Sequence, residues 1–444
     1  MIDLLLPRSE RLSPVENAVN YTHAQDILIE GNRISAVLPT GQADPAQARQ
    51  VIDAGGMIAL PGLINTHCHT AMVLFRGLAD DVSVDRWFNE FIWPFESNLT
   101  SEDVYWGTLL GLAEMIEAGV TTVADHYFYM DEVARAIDQA GTRGLLAWAV
   151  FSAGVPEPEK KLNETLEWIE RWQGSADGRI TTWLGPHAPY TCSEEFLKTV
   201  SATARRTNVG IHIHVSETQA QVEMSLKQHG RTPIALLRDA GVFESPTLLA
   251  HAAHPTPDDI QIMVKAEAGV AHCPKTYLKL ASGVMNVVEV RNAGVNIGIG
   301  TDGAASNSSY DILEQTRLAA LMQKHQHVNA QALPINDALH MMMTGGAKAL
   351  RMPDLGAIAA GKLADVILLR TDSARMQPLI NPAANVLYSA QAGDVDTVIC
   401  NGKVLLQERQ LLTLDKQAIV REVQSRLHRL SQRIPGQRIQ TYPT

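Results

Sequence analysis

The chain has 444 residues, of which 45% are hydrophobic and 19% charged. That is enough apolar material for a large core, and it excludes a mainly disordered chain. With 37 Lys and Arg against 48 Asp and Glu the net charge is −11, so there is no basic excess to neutralise phosphates, and neither nucleic acid nor an anionic membrane is expected as the main partner.

No run of about 18 apolar residues occurs, so no transmembrane helix is expected. The first twelve residues make a poor signal peptide, being broken by Asp3 and stopped by Pro7 with no basic segment ahead. Four cysteines, Cys68, Cys192, Cys273 and Cys400, lie far apart without a CxxC pair. They imply free thiols and a cytoplasmic setting.

In chain order, residues 1–56 hold short alternating segments, among them 26–30 and 33–38 joined by the turn Gly31-Asn32. Apolar β-rich runs then alternate with helical stretches. The expected strands are 58–69, 121–128, 145–151, 181–187, 210–217, 247–252, 269–273 and 296–302. Several are nearly continuous apolar runs, as parallel strands covered on both faces are. Eight of them with intervening helices predict an α/β fold, a closed (β/α)8 TIM-like barrel over 57–358.

The expected helices include 101–118, capped by Thr100 or Ser101 and stopped by Gly119, then 157–172 and 193–207. Segments 364–369, 397–400 and 403–407, with the turn Asn401-Gly402, repeat the N-terminal pattern. The two ends, 1–56 and 359–414, are expected to pair into one small β-sandwich domain. A surface helix over 416–432 and a tail complete the last segment, 415–444.

The strongest local signal is His67-Cys68-His69 at the end of the first barrel strand. Side chains at i and i+2 share a face. Both imidazoles would point inward at the carboxyl end of the strands, where such barrels place active sites. His212 and His214 also share a face and close the fifth strand; one can ligate a metal while the other packs deeper. His251 closes the sixth strand and Asp302 the eighth. Ionisable groups gathered at one end of parallel strands are hard to bury unpaired. A divalent cation would satisfy them together, and three His with one Asp suit Zn²⁺, with Fe²⁺ or Mn²⁺ as other occupants.

Two motif matches are set aside. Gly298-x-Gly300-x-x-Gly303 matches a dinucleotide fingerprint but encloses Asp302 and opens no clear helix, and Gly356 to Lys362 nearly matches a phosphate-binding loop but is followed by Leu363, which has no hydroxyl for Mg²⁺.

The segments Pro61-Gly-Leu-Ile-Asn-Thr-His67-Cys-His69, Gly185-Pro-His187-Ala-Pro-Tyr190 and Thr301-Asp-Gly-Ala-Ala-Ser-Asn307, with Trp87 and Ile92-Trp-Pro-Phe-Glu96, resemble the amidohydrolase superfamily. Within it they are similar to the 5-methylthioadenosine/S-adenosylhomocysteine deaminases and related chlorohydrolases, over nearly the whole chain. The resemblance implies one Zn²⁺ held by His67, His69, His214 and Asp302. It implies substrate contacts at Glu96, His187 and Trp87, and a water-orienting role for His251 beside Asp302. Two-metal members carry a carboxylated lysine on the fourth strand, where this chain has His187.

Glu217, three residues after His214, is placed to protonate a ring nitrogen and pass a proton to the leaving group. Trp148, Lys161 and Tyr277 depart from the methylthioadenosine deaminase pattern and are expected on the walls that contact substrate, Trp148 and Tyr277 either stacking on a flat heterocycle or serving as ordinary packing. The expected activity is zinc-dependent deamination of an aminated purine, nucleoside or pterin by a cytoplasmic homo-oligomer, a dimer or tetramer. The alternatives are expulsion of chloride or an alkylamine from a triazine-like ring, and a catalytically silent binding barrel.

Overall fold

The computed structural model describes residues 2–15 and 18–432. Eight parallel strands follow one another in chain order: Leu63–His69, Val120–Tyr127, Arg143–Val150, Ile180–Pro186, Ile211–Val215, Thr247–His251, Gly269–His272 and Asn296–Ile299. The chain breaks at Gly300-Thr301 and resumes as Asp302–Gly303, which pairs in parallel with Cys68 and His69 of the first strand. Thr301 N–H donates to the His67 carbonyl at 3.1 Å. The last strand thereby returns to the first, and the sheet closes into the expected barrel.

The alternation of side chains divides two cores. Ile64, Ala124, Leu145, Ala147, Trp183, Leu248 and Ala271 belong to one buried cluster inside the barrel. Residues of opposite parity, such as Leu146, Val150 and Leu184, join the larger core against the helices. Both faces are dry, which is why these strands read as continuous apolar runs.

The helices begin and end on local signals. Ser101–Glu117 is capped by Thr100, whose hydroxyl accepts from Asp103 N–H while Asp103 accepts from Thr100 N–H at 2.7 Å. Pro158–Trp172 buries Leu162 and Ile169, and Glu194–Thr207 is capped by Ser193. The last helix, Lys416–Leu430, buries Ile419, Val423 and Leu430 and ties Arg426 to Glu102 on the first long helix at 2.7 Å. Of the expected tail, 433–444 lies outside the described residues.

The chain ends build a mixed nine-stranded sheet among the described residues. Met57–Pro61 joins the halves: it runs parallel to the long strand Ile2–Val15 and antiparallel to Val366–Arg370. Leu4, Ile27, Ile34, Val366, Leu368 and Ile399 share one core. The two expected turns meet, for Gly402, at φ +78°, lies so close to Gly31 that a Cβ there would stand 2.1 Å from the Gly31 carbonyl oxygen.

The expected strand 58–69 and the barrel boundary at 57 need correction. Gly62 divides the run: residues before it pair in the terminal sheet, residues after it open the barrel. A Cβ at Gly62 would meet the Thr121 side chain at 2.3 Å, so the crossover between layers requires glycine. An apolar run carries no sign of a change of sheet, because both sheets bury it.

Candidate metal centre and active site

The carboxyl ends of the strands bring His67, His69, His214, His251 and Asp302 together. His69 Nε2 lies 3.2 Å and His67 Nε2 3.6 Å from Asp302 Oδ1, and His214 Nε2 lies 3.3 Å from His69 Nε2. The His67 and His251 ring centres are 5.3 Å apart. Donors about 2.1 Å from one tetrahedrally coordinated ion stand about 3.4 Å from each other. The observed spacing suits a divalent cation.

The outer nitrogens set the tautomers. His69 Nδ1 donates to the His126 carbonyl at 2.6 Å, and His214 Nδ1 to the His187 carbonyl at 3.0 Å. A carbonyl only accepts, so each ring carries a proton on Nδ1, which leaves Nε2 as the atom that would face a metal. His67 Nδ1 lies 2.9 Å from His212 Nε2, while His67 Nε2 is buried with no hydrogen-bond partner. A buried orphan nitrogen facing a carboxylate and two more lone pairs fits a cation.

Burial drives His67 down to about 3 against the pull of Asp302, and holds His212 and His214 well below the usual imidazole range. All three are neutral, and in that state His67 and His214 could each bind a metal. At His69 burial also acts downward, but the hydrogen bond and charge of Asp302 outweigh it and carry the ring to about 9. Burial would raise Asp302; the neighbouring imidazoles of His67 and His69 prevail and hold it well below the carboxylate range. Ser306 Oγ donates to its other oxygen, Oδ2, at 2.8 Å.

Three strand ends are strained. Ser216, His251 and Asp302 have φ of +48°, +72° and +62°, a left-handed backbone rare for side-chain-bearing residues and concentrated at functional sites.

The cluster floors a cavity at the mouth of the barrel. Glu217, Glu96, His187, Trp87 and Tyr277 line it. Glu217 accepts from Tyr190 Oη at 2.8 Å, and its backbone N–H donates to Gln221 Oε1 at 2.9 Å. Glu96 accepts from Tyr127 Oη at 2.6 Å, and burial pushes its carboxyl up to about 7. His187 stacks on Phe151 at 4.6 Å with Nδ1 2.9 Å from Thr191 Oγ1. The Tyr277 hydroxyl accepts from Cys273 N–H at 3.1 Å.

Trp148 and Lys161 are corrections. Neither lines the cavity. On the third strand Ala149 faces the cavity, so its neighbour Trp148 faces the helix layer, where it meets Trp168 edge-on at 5.8 Å. Lys161 Nζ lies 3.9 Å over the Trp148 ring and pairs with Glu164 at 3.0 Å. The two form a packed contact outside the site.

His126, Tyr127, Tyr190 and Phe151 line the cavity without having been singled out as site residues. His126 was legible by the rule that found the others, an ionisable residue closing a β run. The aromatic pair Tyr127-Phe128 behind it hid the strand end.

The profile of the Amidohydrolase family matches residues 58–405. A protein of Carboxydothermus hydrogenoformans named 5-methylthioadenosine/S-adenosylhomocysteine deaminase is 45% identical over 401 residues, 90% of this chain and 93% of its own. Its namesake in Desulforudis audaxviator is 44% identical over 429 residues, 96% and 99% of the two chains.

Among solved structures, an adenosine deaminase from Xanthomonas campestris with bound zinc superposes with a TM-score of 0.91 at 31% identity, covering 97% of this chain and 98% of that one. An atrazine chlorohydrolase from Arthrobacter aurescens complexed with zinc gives 0.88 at 25%, covering 96% and 100%. With a family match over most of its length and relatives this similar from end to end, the chain belongs to the amidohydrolase family.

Proposed function

We propose that this chain is a zinc-dependent hydrolytic deaminase of an aminated heterocycle, of the adenosine, purine or pterin type, releasing ammonia. The observation that carries this reading is the single-ion spacing of His67, His69, His214 and Asp302, 3.2–3.6 Å between the measured donor pairs, on a cavity that also holds Glu217 and His251. One ion per chain, held by those four residues, is part of the proposal. Bound there, zinc supplies Lewis acidity that makes water ionisable near neutral pH.

The chain's own groups supply the rest. Asp302, held anionic, and His251 orient the attacking water and take its proton. Glu217, fixed by Tyr190, protonates the ring nitrogen beside the amine-bearing carbon, which makes that carbon electrophilic. The water oxygen bonds to the carbon and its second proton restores Glu217; the amine takes the proton held by Asp302 as the C–N bond breaks and leaves as ammonia, while the proton first given by Glu217 stays on the ring nitrogen. The ring keeps a carbonyl. Glu96 and His187 bind the substrate's edges, and Trp87 and Tyr277 close apolar walls on it.

The similarity to a chlorohydrolase structure at 25% identity favours a second reading, expulsion of chloride or an alkylamine from a triazine-like ring by the same attack. The relatives at 44–45% identity weigh toward deamination. A homo-oligomer of two or four subunits and a cytoplasmic setting complete the proposal. Four buried, unpaired cysteines support a reducing compartment, and no described helix is long and apolar enough to cross a membrane.

The test combines metal analysis with Glu217→Gln. We expect one tightly held zinc per chain and ammonia release from a purine nucleoside. In the variant, kcat falls by about 10²–10⁴ with zinc retained. About two metals per chain would overturn the single-ion site. Near-full turnover in Glu217→Gln would remove Glu217 from the reaction. Chloride release without ammonia release would select the second reading, and a metal-free, inactive protein would revive the silent barrel.

A further inference from the structure

The barrel closes on a very short strand. Asp302–Gly303 pairs with Cys68 and His69, and Asp302 holds its left-handed φ of +62° there. A strained backbone persists only where its surroundings hold it, and two residues of ladder hold little. Two of the proposed metal ligands, His69 and Asp302, stand on opposite sides of this seam, 3.2 Å apart.

Side chains stitch the seam on both flanks of that pair. Earlier along both strands, Asn65 Nδ2 donates to Thr301 Oγ1 at 2.7 Å, and Asn65 Oδ1 accepts from Thr301 N–H at 3.0 Å. On the other flank stands Tyr310, wholly buried. Its hydroxyl donates to the His69 carbonyl at 2.7 Å, lies 3.0 Å from the Thr70 carbonyl, and accepts from Ala304 N–H at 3.3 Å. One oxygen thus ties His69 itself to the residue two places beyond Asp302.

The phenol is in turn fixed by the helix Ser101–Glu117. Tyr310 N–H donates to Glu114 Oε1 at 3.0 Å, and Glu114 also accepts from Arg76. The ring lies against Gly111, where a Cβ would stand 3.2 Å from Tyr310 Cε2 and 2.6 Å from Thr70 Cγ2. Glycine at 111 leaves the room that this contact needs.

Resting on the metal-centre reading, we infer that Tyr310 is a positioning residue whose hydroxyl fixes the backbones carrying His69 and Asp302, so that the two donors keep their spacing before an ion arrives. It acts through those two residues, by the same logic as partners that orient ligands from behind.

Tyr310→Phe removes the hydroxyl and keeps the ring. Zinc affinity is measured by chelator competition on the wild type, on Tyr310→Phe and on Arg143→Ala, which loses its ion pair with Asp365 at the joint with the terminal sheet. Melting temperatures are taken with and without zinc. Tyr310→Phe should bind zinc about 10- to 100-fold more weakly than the wild type, while Arg143→Ala stays within about threefold although it melts lower. In the metal-free wild type, amide hydrogen exchange over residues 301–308 should remain slow, because the clasp does not need the ion; this measurement decides the matter even where Tyr310→Phe does not fold.

Unchanged zinc affinity in Tyr310→Phe, with melting lowered equally with and without zinc, would reduce the hydroxyl to an ordinary structural bond and overturn the inference alone. So would fast exchange over 301–308 that only zinc slows, since the ion would then order the seam. A wild type that binds no zinc would overturn the metal-centre reading and the inference together.

Discussion

Tyr190→Phe removes one hydroxyl from the site and leaves its shape. In the native structure that hydroxyl donates to Glu217 Oε1 at 2.8 Å, while the Glu217 backbone is fixed separately by Gln221. The ring also stands edge-on to His187 at 5.8 Å, a contact phenylalanine keeps. A hydrogen bond to a charged group is worth about 1.5–3 kcal/mol net. If Tyr190 acts by holding the Glu217 carboxylate in line with the ring nitrogen, most of that appears in the transition state, and at 1.36 kcal/mol per tenfold kcat falls by about 10- to 100-fold.

The assay is steady-state ammonia release from a purine nucleoside, with zinc content measured on the same samples. KM should move by less than about threefold, since uniform binding is untouched. Zinc per chain should not change, because Tyr190 bonds none of the four proposed ligands. A kcat within about twofold of wild type, or a loss of activity that tracks loss of zinc, would refute the positioning role.

Other perturbations test other parts of the structure. His212→Asn removes the imidazole 2.9 Å behind His67; zinc affinity should fall by about 10- to 100-fold in a chelator competition while the fold persists. Arg143→Ala leaves Asp365 buried without its guanidinium partner, 3.1 Å away, at the joint between the barrel and the terminal sheet; the destabilisation should be about 3–5 kcal/mol by denaturant titration. All four cysteines are buried, and burial pushes Cys192 up to about 11 and the other three well above the usual thiol range. At pH 8 each thiol therefore stays protonated, and because only a thiolate attacks, a disulfide reagent should label four cysteines in denaturant and none quickly in the native enzyme.

Local rules reached far into this site. Ionisable residues closing apolar β runs identified His67, His69, His214, His251 and Asp302, and all five meet at one end of the barrel. The same rule failed at His126, where aromatic residues continued the run. Comparison with the methylthioadenosine deaminase pattern put Trp148 on a wall, but one step of alternation turns it to the helices and leaves Ala149 facing the cavity. Inspecting parity against Leu145 and Ala147, both inside the barrel, could have revealed this; inspecting composition could not. At Gly62 the sequence shows an unbroken apolar run, while the fold uses it in two sheets.

The amino-acid order alone determined the donor types, their placement at strand ends, the two hairpin turns and the pairing of the chain termini, since each depends on short-range periodicity or on the chemistry of single side chains. Only the tertiary structure decided that donors from position 67 to position 302 come together at one end of the barrel, and that Tyr190 bonds Glu217 and Tyr127 bonds Glu96 beside them. These depend on closure of the barrel and on which face each strand turns inward, and both are fixed by packing between segments far apart in the chain.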